Sequence, residues 1–218
     1  MIMKIYLISL LSLFIADCNQ TKEVTLPEME IKYVDLQNEK YEKSVFASGC
    51  FWCVEAVYES VEGVAEAISG YAGGTAENAN YSDVSAGRTD HAEAVEVYYD
   101  PEVVSYNTLL EVFFGSHDPT TLNRQGPDSG RQYRSTIFYK NEEEKKAAEA
   151  YIAKLKEEKA FDGPITTTLE PLTKFYKAED YHQDYEKRNP NQPYVRSVSI
   201  PRLKRFQAKY PHLLKKDH

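Results

Sequence analysis

The chain has 218 residues, enough to fill one well-packed domain and too few for two large ones. Its formal net charge of −8 argues against general nucleic-acid binding; the stretch Arg202 to Lys216 is locally basic but reads as the solvated face of an amphipathic helix. Of its three cysteines, Cys50 and Cys53 stand three positions apart, and its five histidines are scattered singly, so a zinc site lacks the second ligand pair it needs.

The N-terminus opens with Lys4 and an apolar run from Ile5 to Ala16, followed by Asp17-Cys18. That run is too short to cross a bilayer as a helix and suits the apolar region of an export signal. Cys18 directly after it resembles the acylated cysteine of bacterial lipoproteins, although Asp17 stands where a small residue is usual. Residues 1–18 are therefore read as an export or lipoprotein-type signal with Cys18 as the lipidation site. This places the protein outside the cytoplasm, in the envelope or periplasm, either anchored to the membrane by lipid at Cys18 or simply secreted with Cys18 cleaved away. Residues 19–43, polar and with little regular apolar spacing, read as a tether. Residues 44–200 form the expected domain, and 201–218 a basic C-terminal tail.

Within the domain, Ser44 to Ser48 reads as a buried strand and Gly49 as a tight turn. Val54, Val57, Tyr58 and Val61 then recur at helical spacing as far as Gly63. Tyr71 to His91 is expected to be a long irregular stretch, and loops of that length inside a compact domain are usually functional. Ala94 to Tyr99 alternates as a strand, and Ser105 caps a helix with Leu109, Leu110 and Phe113 on one stripe. A second long loop runs from Gly115 to Gln132. Tyr133 to Tyr139 reads as a strand, Asn141 and Glu144 as the start of a helix presenting Ala148, Ile152 and Leu155, Ile165 to Leu169 as a strand, and Ala178 to Arg188 as a polar helix. Strands alternating with helices indicate an α/β or α+β two-layer sandwich, a mixed sheet with flanking helices.

The Cys50–Cys53 pair sits where a strand turns into a helix, and a thiol at a helix start is favoured as thiolate by unpaired backbone N–H groups. So close a pair closes almost no loop as a structural disulfide, which makes its value chemical. Dithiol exchange of the thioredoxin kind is one reading, but Phe51-Trp52 between the cysteines offers an aromatic wall, suited to binding something apolar beside the nucleophile.

Gly49-Cys50-Phe51-Trp52, Tyr71-Ala72-Gly73-Gly74, Tyr81, Gly87, His91-Ala92-Glu93, His117-Asp118-Pro119, Arg124-Gln125-Gly126, Gln132-Tyr133-Arg134-Ser135 and Ala178-Glu179-Asp180-Tyr181-His182-Gln183 follow one another in an order that resembles the A-type peptide methionine sulfoxide reductases (MsrA). The resemblance covers roughly Val45 to Pro193. It implies a ferredoxin-like core, an oxidoreductase repairing the S epimer of methionine sulfoxide, free or in oxidised proteins, and a monomer with no bound cofactor and no metal, recycled by an external thioredoxin-like dithiol. Residue by residue, it implies that Cys50 attacks the sulfoxide sulfur and is left as a sulfenic acid. Glu93 delivers a proton to the oxygen, Tyr81 and Tyr133 donate hydrogen bonds, Asp128 organises that network, and Phe51 and Trp52 hold the S-methyl group. Many relatives carry glycine after the tryptophan and a cysteine in the C-terminal tail; here the tail has Tyr194-Val195, which moves the resolving role to Cys53. His91, His117 and His182 read as structural hydrogen-bonders. A general C-x-x-C disulfide oxidoreductase and a non-catalytic binder of oxidised methionine remain the competing readings.

Overall fold

Strand β1 (Glu42–Ser48) is buried from Ser44 onward and lies at the centre of a six-stranded sheet. The computed structural model describes Leu36 and residues 38–216; Cys18 and the expected signal, with most of the expected tether, lie outside the described residues. Gly49, at φ +94°, turns the chain into α1 (Phe51–Glu59), which crosses back to β2 (Val64–Ala72). A short helix α2 (Tyr81–Ser85) interrupts the connection to β3 (Ala92–Tyr99), and α3 (Tyr106–Ser116) follows, capped by the Ser105 hydroxyl accepting from the Thr108 N–H. A two-residue hairpin of β4 (Arg124–Gln125) and β5 (Asp128–Ser129) precedes β6 (Ser135–Tyr139). Helix α4 (Glu142–Glu157) starts at Asn141, whose side chain accepts from the Glu144 N–H while the Glu144 carboxylate accepts from the Lys140 N–H. Strands β7 (Thr168–Pro171) and β8 (Phe175–Lys177), the short helix α5 (Tyr185–Arg188) and the last long helix α6 (Ile200–Lys209) complete the chain.

The strand order is β7-β6-β1-β3-β2-β8. The inner four strands are antiparallel neighbours, with α1 joining β1 to β2 and α3 joining β3 to β6, which is the ferredoxin-like β-α-β-β-α-β arrangement. β7 adds in parallel beside β6 and β8 antiparallel beside β2, making the sheet mixed. On the helix-covered face the alternate residues Val95, Val97 and Tyr99 join Phe46, Val57, Leu109, Leu110 and Phe113 in the main core. The opposite face carries a smaller cluster of Val45, Ala47, Ala72, Ala92, Ala94 and Phe138.

Several expectations change. Val64 to Ala72 is a full strand, and it takes the first two residues of the expected loop from Tyr71. Tyr133 belongs to a tight turn ahead of β6. Ala178 to Arg188 is not one helix: Asp184 sits at φ +52°, in the left-handed region, and separates a turn at Asp180–His182 from α5. Residues 201–216 of the expected basic tail are packed on the domain. A helical run enters through a widened π-helical segment, Val195–Ser199, directly before Pro201, where the helix absorbs the missing proline N–H. α6 then buries Arg202 and Phe206 against α1 and α3. Beyond it, Glu62 N–H donates to Leu213 O and Lys215 N–H to Ser60 O, so the C-terminal segment is stitched to the end of α1.

Candidate active site

Cys50 is the residue just before α1, so the orphan N–H groups of the first helical turn open beside it. The Cys53 and Val54 N–H groups already return to the Cys50 carbonyl, but that of Phe51 does not; it donates to Glu93 Oε2 at 3.1 Å. Glu93 lies on β3 in the stripe of Val95, Val97 and Tyr99, the face that packs against the helices, and is 2% exposed. Burial raises its carboxyl to about 8, the Phe51 N–H opposing the shift. The carboxyl is therefore a proton carrier near neutral pH, placed at the helix start where the nucleophile stands.

Gly49 makes this approach possible. A Cβ there would lie 2.6 Å from Gln125 Cβ, because the β4–β5 hairpin closes over the turn. The same hairpin carries Asp128, opposite Gln125, so the fold brings that carboxyl to the cysteines from across the site. Burial raises the Asp128 carboxyl, with the Tyr194 hydroxyl that donates to it and the Arg202 charge working the other way.

Tyr81 opens α2, with its N–H donating to Glu179 Oε1 at 3.0 Å while the Tyr71 hydroxyl donates to Glu179 Oε2 at 2.8 Å. Tyr133 sits in the turn between the hairpin and β6. Gln132 Nε2 fixes that turn to the Ser85 carbonyl at 2.9 Å, and the paired Arg134–Glu170 contact holds its far side. Both phenols are pushed upward first by burial and next by Glu93, Tyr81 to about 12, so both remain donors.

Phe51 is fully buried, its ring stacked on Tyr81 at 6.4 Å. Trp52 is half-buried: its indole stacks on Tyr185 at 3.8 Å and donates through Nε1 to His182 Nδ1 at 3.1 Å. Burial lowers His182, keeping the ring neutral and Nδ1 free to accept. The wall is braced from behind by Glu55, whose carboxylate accepts from the Ser69 hydroxyl and the Asp184 N–H. His117 likewise holds structure, its Nδ1–H donating to Phe113 O at 2.6 Å and its Nε2 accepting from Ser135 Oγ at 2.8 Å. His91 faces the Thr75 carbonyl at 2.9 Å.

Cys50, Phe51, Trp52, Tyr81, Glu93, Asp128 and Tyr133 all line one cavity of about 260 Å³. Gln192 and Tyr194 complete it, and neither belongs to the residues expected from sequence. The Tyr194 hydroxyl lies 3.9 Å from Cys53 Sγ and bridges that sulfur to Asp128. Tyr194 stands just past the matched motifs, and no motif in the sequence marks it.

Both thiols are free and buried. At Cys50 burial works against the helix-start effect and pushes the thiol well up. Cys53, bonded first by the Cys50 thiol and then facing Arg202, Ser199 and Tyr194, is lowered to about 7. The two thiols therefore titrate as a pair, with burial holding Cys50 up and the contact between them bringing Cys53 down.

A carboxylic acid, two phenols, a thiol with a second thiol behind it and an aromatic wall around one small cavity are suited to protonating an oxygen while a sulfur attacks its neighbour. The family profile described as peptide methionine sulfoxide reductase matches residues 42–214. Peptide methionine sulfoxide reductase MsrA 2 of Synechocystis sp. is 50% identical over 196 residues, covering 89% of this chain and 92% of that protein. MsrA of Chromobacterium violaceum is 46% identical over 173 residues, 79% of this chain and 98% of that protein. Among solved structures, the reduced form of Mxr1 from Saccharomyces cerevisiae is similar at a TM-score of 0.64 and 38% identity, over 75% of this chain and 92% of that one. Methionine sulfoxide reductase A of Corynebacterium diphtheriae is similar at 0.63 and 35%, over 71% and 78%. On the profile and these identities together, the chain belongs to the peptide methionine sulfoxide reductase family.

Proposed function

We propose that this protein reduces the S epimer of methionine sulfoxide, free or within oxidised proteins, to methionine. The observation that carries the reading is that the single cavity of about 260 Å³ gives Cys50 and Glu93 access to the same few atoms. Cys50 attacks the sulfoxide sulfur as its proton passes to the Cys53 thiolate, and the Glu93 carboxyl protonates the sulfoxide oxygen, with Tyr81 and Tyr133 donating hydrogen bonds to it. The net transfer moves the oxygen to Cys50 sulfur and two electrons to the methionine sulfur, leaving methionine and a Cys50 sulfenic acid. Cys53 then attacks that sulfenic acid, forming a Cys50–Cys53 disulfide and releasing the oxygen as water. Helical backbone between the two cysteines makes this geometry demanding, so the first turn of α1 rearranges as the bond forms. An external thioredoxin-like dithiol reduces the disulfide by exchange, and the enzyme acts as a monomer without a bound cofactor.

Mixing the reduced protein with each sulfoxide epimer in the absence of reductant is expected to release about one methionine per chain from the S epimer and none from the R. Equal release from both epimers would overturn the stereochemical assignment, and release from neither would leave a binder. A general disulfide oxidoreductase is distinguished by indifference to loss of Glu93.

We also propose that the protein is exported and lipid-anchored at Cys18, on the strength of the apolar run Ile5 to Ala16 and the cysteine that follows it. The mass of the mature N-terminal peptide is expected to show chain cleavage before Cys18 with acyl chains added; an unmodified peptide that retains Met1 overturns this.

A further inference from the structure

Arg202 is 6% exposed, and it has no carboxylate partner among the described residues. Its guanidinium instead donates through Nε to Ser116 O at 2.8 Å, through Nη1 to Ser48 O at 2.9 Å and through Nη2 to Ser48 Oγ at 3.0 Å. A buried cation satisfied only by neutral acceptors is expensive unless a negative charge forms nearby. Two of its three bonds go to Ser48, the residue that precedes the Gly49-Cys50 turn, and Nη1 lies 3.5 Å from where a Gly49 Cβ would sit. The fork therefore pins the backbone that presents Cys50, and it does so from α6, the helix that continues from Tyr194 and the Val195–Ser199 segment.

We propose that Arg202 is a positioning residue for the redox pair: it fixes the turn carrying Cys50 and is the buried counter-charge for the thiolate that Cys53 forms when it acts. Hence the C-terminal helix, although it brings no cysteine, serves the resolving step by electrostatics. The inference rests on Cys50 and Cys53 being the redox couple proposed above. The titratable groups facing Cys53 are Cys50, Glu93, Asp128, Tyr194 and Arg202, while Glu55, Glu59, Asp184 and Lys187 cluster further along α1. Of these, Arg202 is the cation that acts on the Cys53 thiol, and no carboxylate is bound to it, whereas Lys187 is paired with Glu59 and Asp184. Consistent with this placement, Arg202 acts to lower Cys53, Asp128 and His117 alike.

The test is the pH profile of alkylation by iodoacetamide at Cys53, read by peptide mass in the full chain carrying Cys50→Ser, with and without Arg202→Met. Alkylation reads the thiol directly, so it is independent of whether sulfoxide is turned over. Arg202→Met is expected to raise the midpoint by about one pH unit, and Arg202→Lys to recover at least half of that shift because it restores charge without the fork. Coincident profiles in folded Arg202→Met and its parent overturn the proposal, as does a shift that Arg202→Lys leaves uncorrected. If Arg202→Met does not fold, the wild-type protein decides: the Arg202 Nε–H resonance should move with the ultraviolet thiolate absorbance, and a resonance indifferent to thiol titration overturns it.

Discussion

Glu93→Gln is expected to slow single-turnover methionine release by about 10²- to 10⁴-fold, the range over which a positioned general acid acts, with only a modest change in sulfoxide binding. The amide keeps the shape and can still accept from the Phe51 N–H, as Glu93 does at 3.1 Å, so the loss falls on the proton delivered in the transition state. Wild-type-like single-turnover kinetics in this variant would remove Glu93 from the mechanism. The pH dependence carries a sign. Burial lifts the Glu93 carboxyl to about 8, so its acid form is present below that value and lost as pH rises through it; the wild-type rate should fall there and the variant's should not. Stability follows the same direction. The folded protein holds this proton more tightly than an unfolded carboxyl of about 4.3, so the contribution is full below that pH and fades as pH rises from there towards the folded value of about 8. Because Glu55 is raised similarly, only the difference in urea midpoint between wild type and Glu93→Gln across that window isolates the residue.

Cys53→Ser should separate the two halves of the cycle. One methionine per chain is still released, since the attacking sulfur and the acid are untouched, and a Cys50 sulfenic acid then accumulates that a sulfenic-acid trap captures. Turnover with a thioredoxin-like reductant should stop after that first event. The first event should itself slow, because the Cys53 thiolate, lowered to about 7, is the acceptor for the Cys50 proton and a serine hydroxyl is a far weaker one. Undiminished multiple turnover would show a different resolving group, and among the described residues no third cysteine stands near the pair.

Much of this architecture can be read from the chain because its elements are locally consistent. The Ser105 and Asn141 caps, the Ser44 to Ser48 run and the Val95, Val97, Tyr99 alternation each agree with the structure formed. β2 was harder to see, since Glu66, Ser69 and Gly70 break the alternation that marks a strand. The expected strand Ile165 to Leu169 overlaps β7 only at Thr168 and Leu169, and β8 is too short to have a period at all. The polar, tyrosine-rich segment Ala178 to Arg188 imitates a solvated helix, but its side chains are committed elsewhere: Glu179 to Tyr71 and Tyr81, His182 to Trp52, and Gln183 to the backbone of Ser69.

The site was legible through the ordered family motifs; without them, an isolated Glu93 reads as a solvated strand-edge carboxylate. The structure instead sets it in the buried stripe of Val95, Val97 and Tyr99, two residues upstream. Tyr194 and Arg202 carry no such mark. Arg202 opens a stretch whose basic composition suggests a solvated surface, and the packing of Phe206 with the bonds to Ser48 and Ser116 turns it inward. The charge state of the cysteines was equally hidden, because it depends on how deeply the pair is buried and on what reaches it from α6.

Trp52 is the only tryptophan in the chain, and its indole is both stacked on Tyr185 at 3.8 Å and fixed to His182. It also lies between the two sulfurs in sequence. The tryptophan emission of this protein, excited beyond the tyrosine absorption band, is therefore a single-site signal rather than an average over the fold. Any shift in emission wavelength or quenching on oxidation or on ligand entry reports the local environment at the reaction centre, with no label introduced.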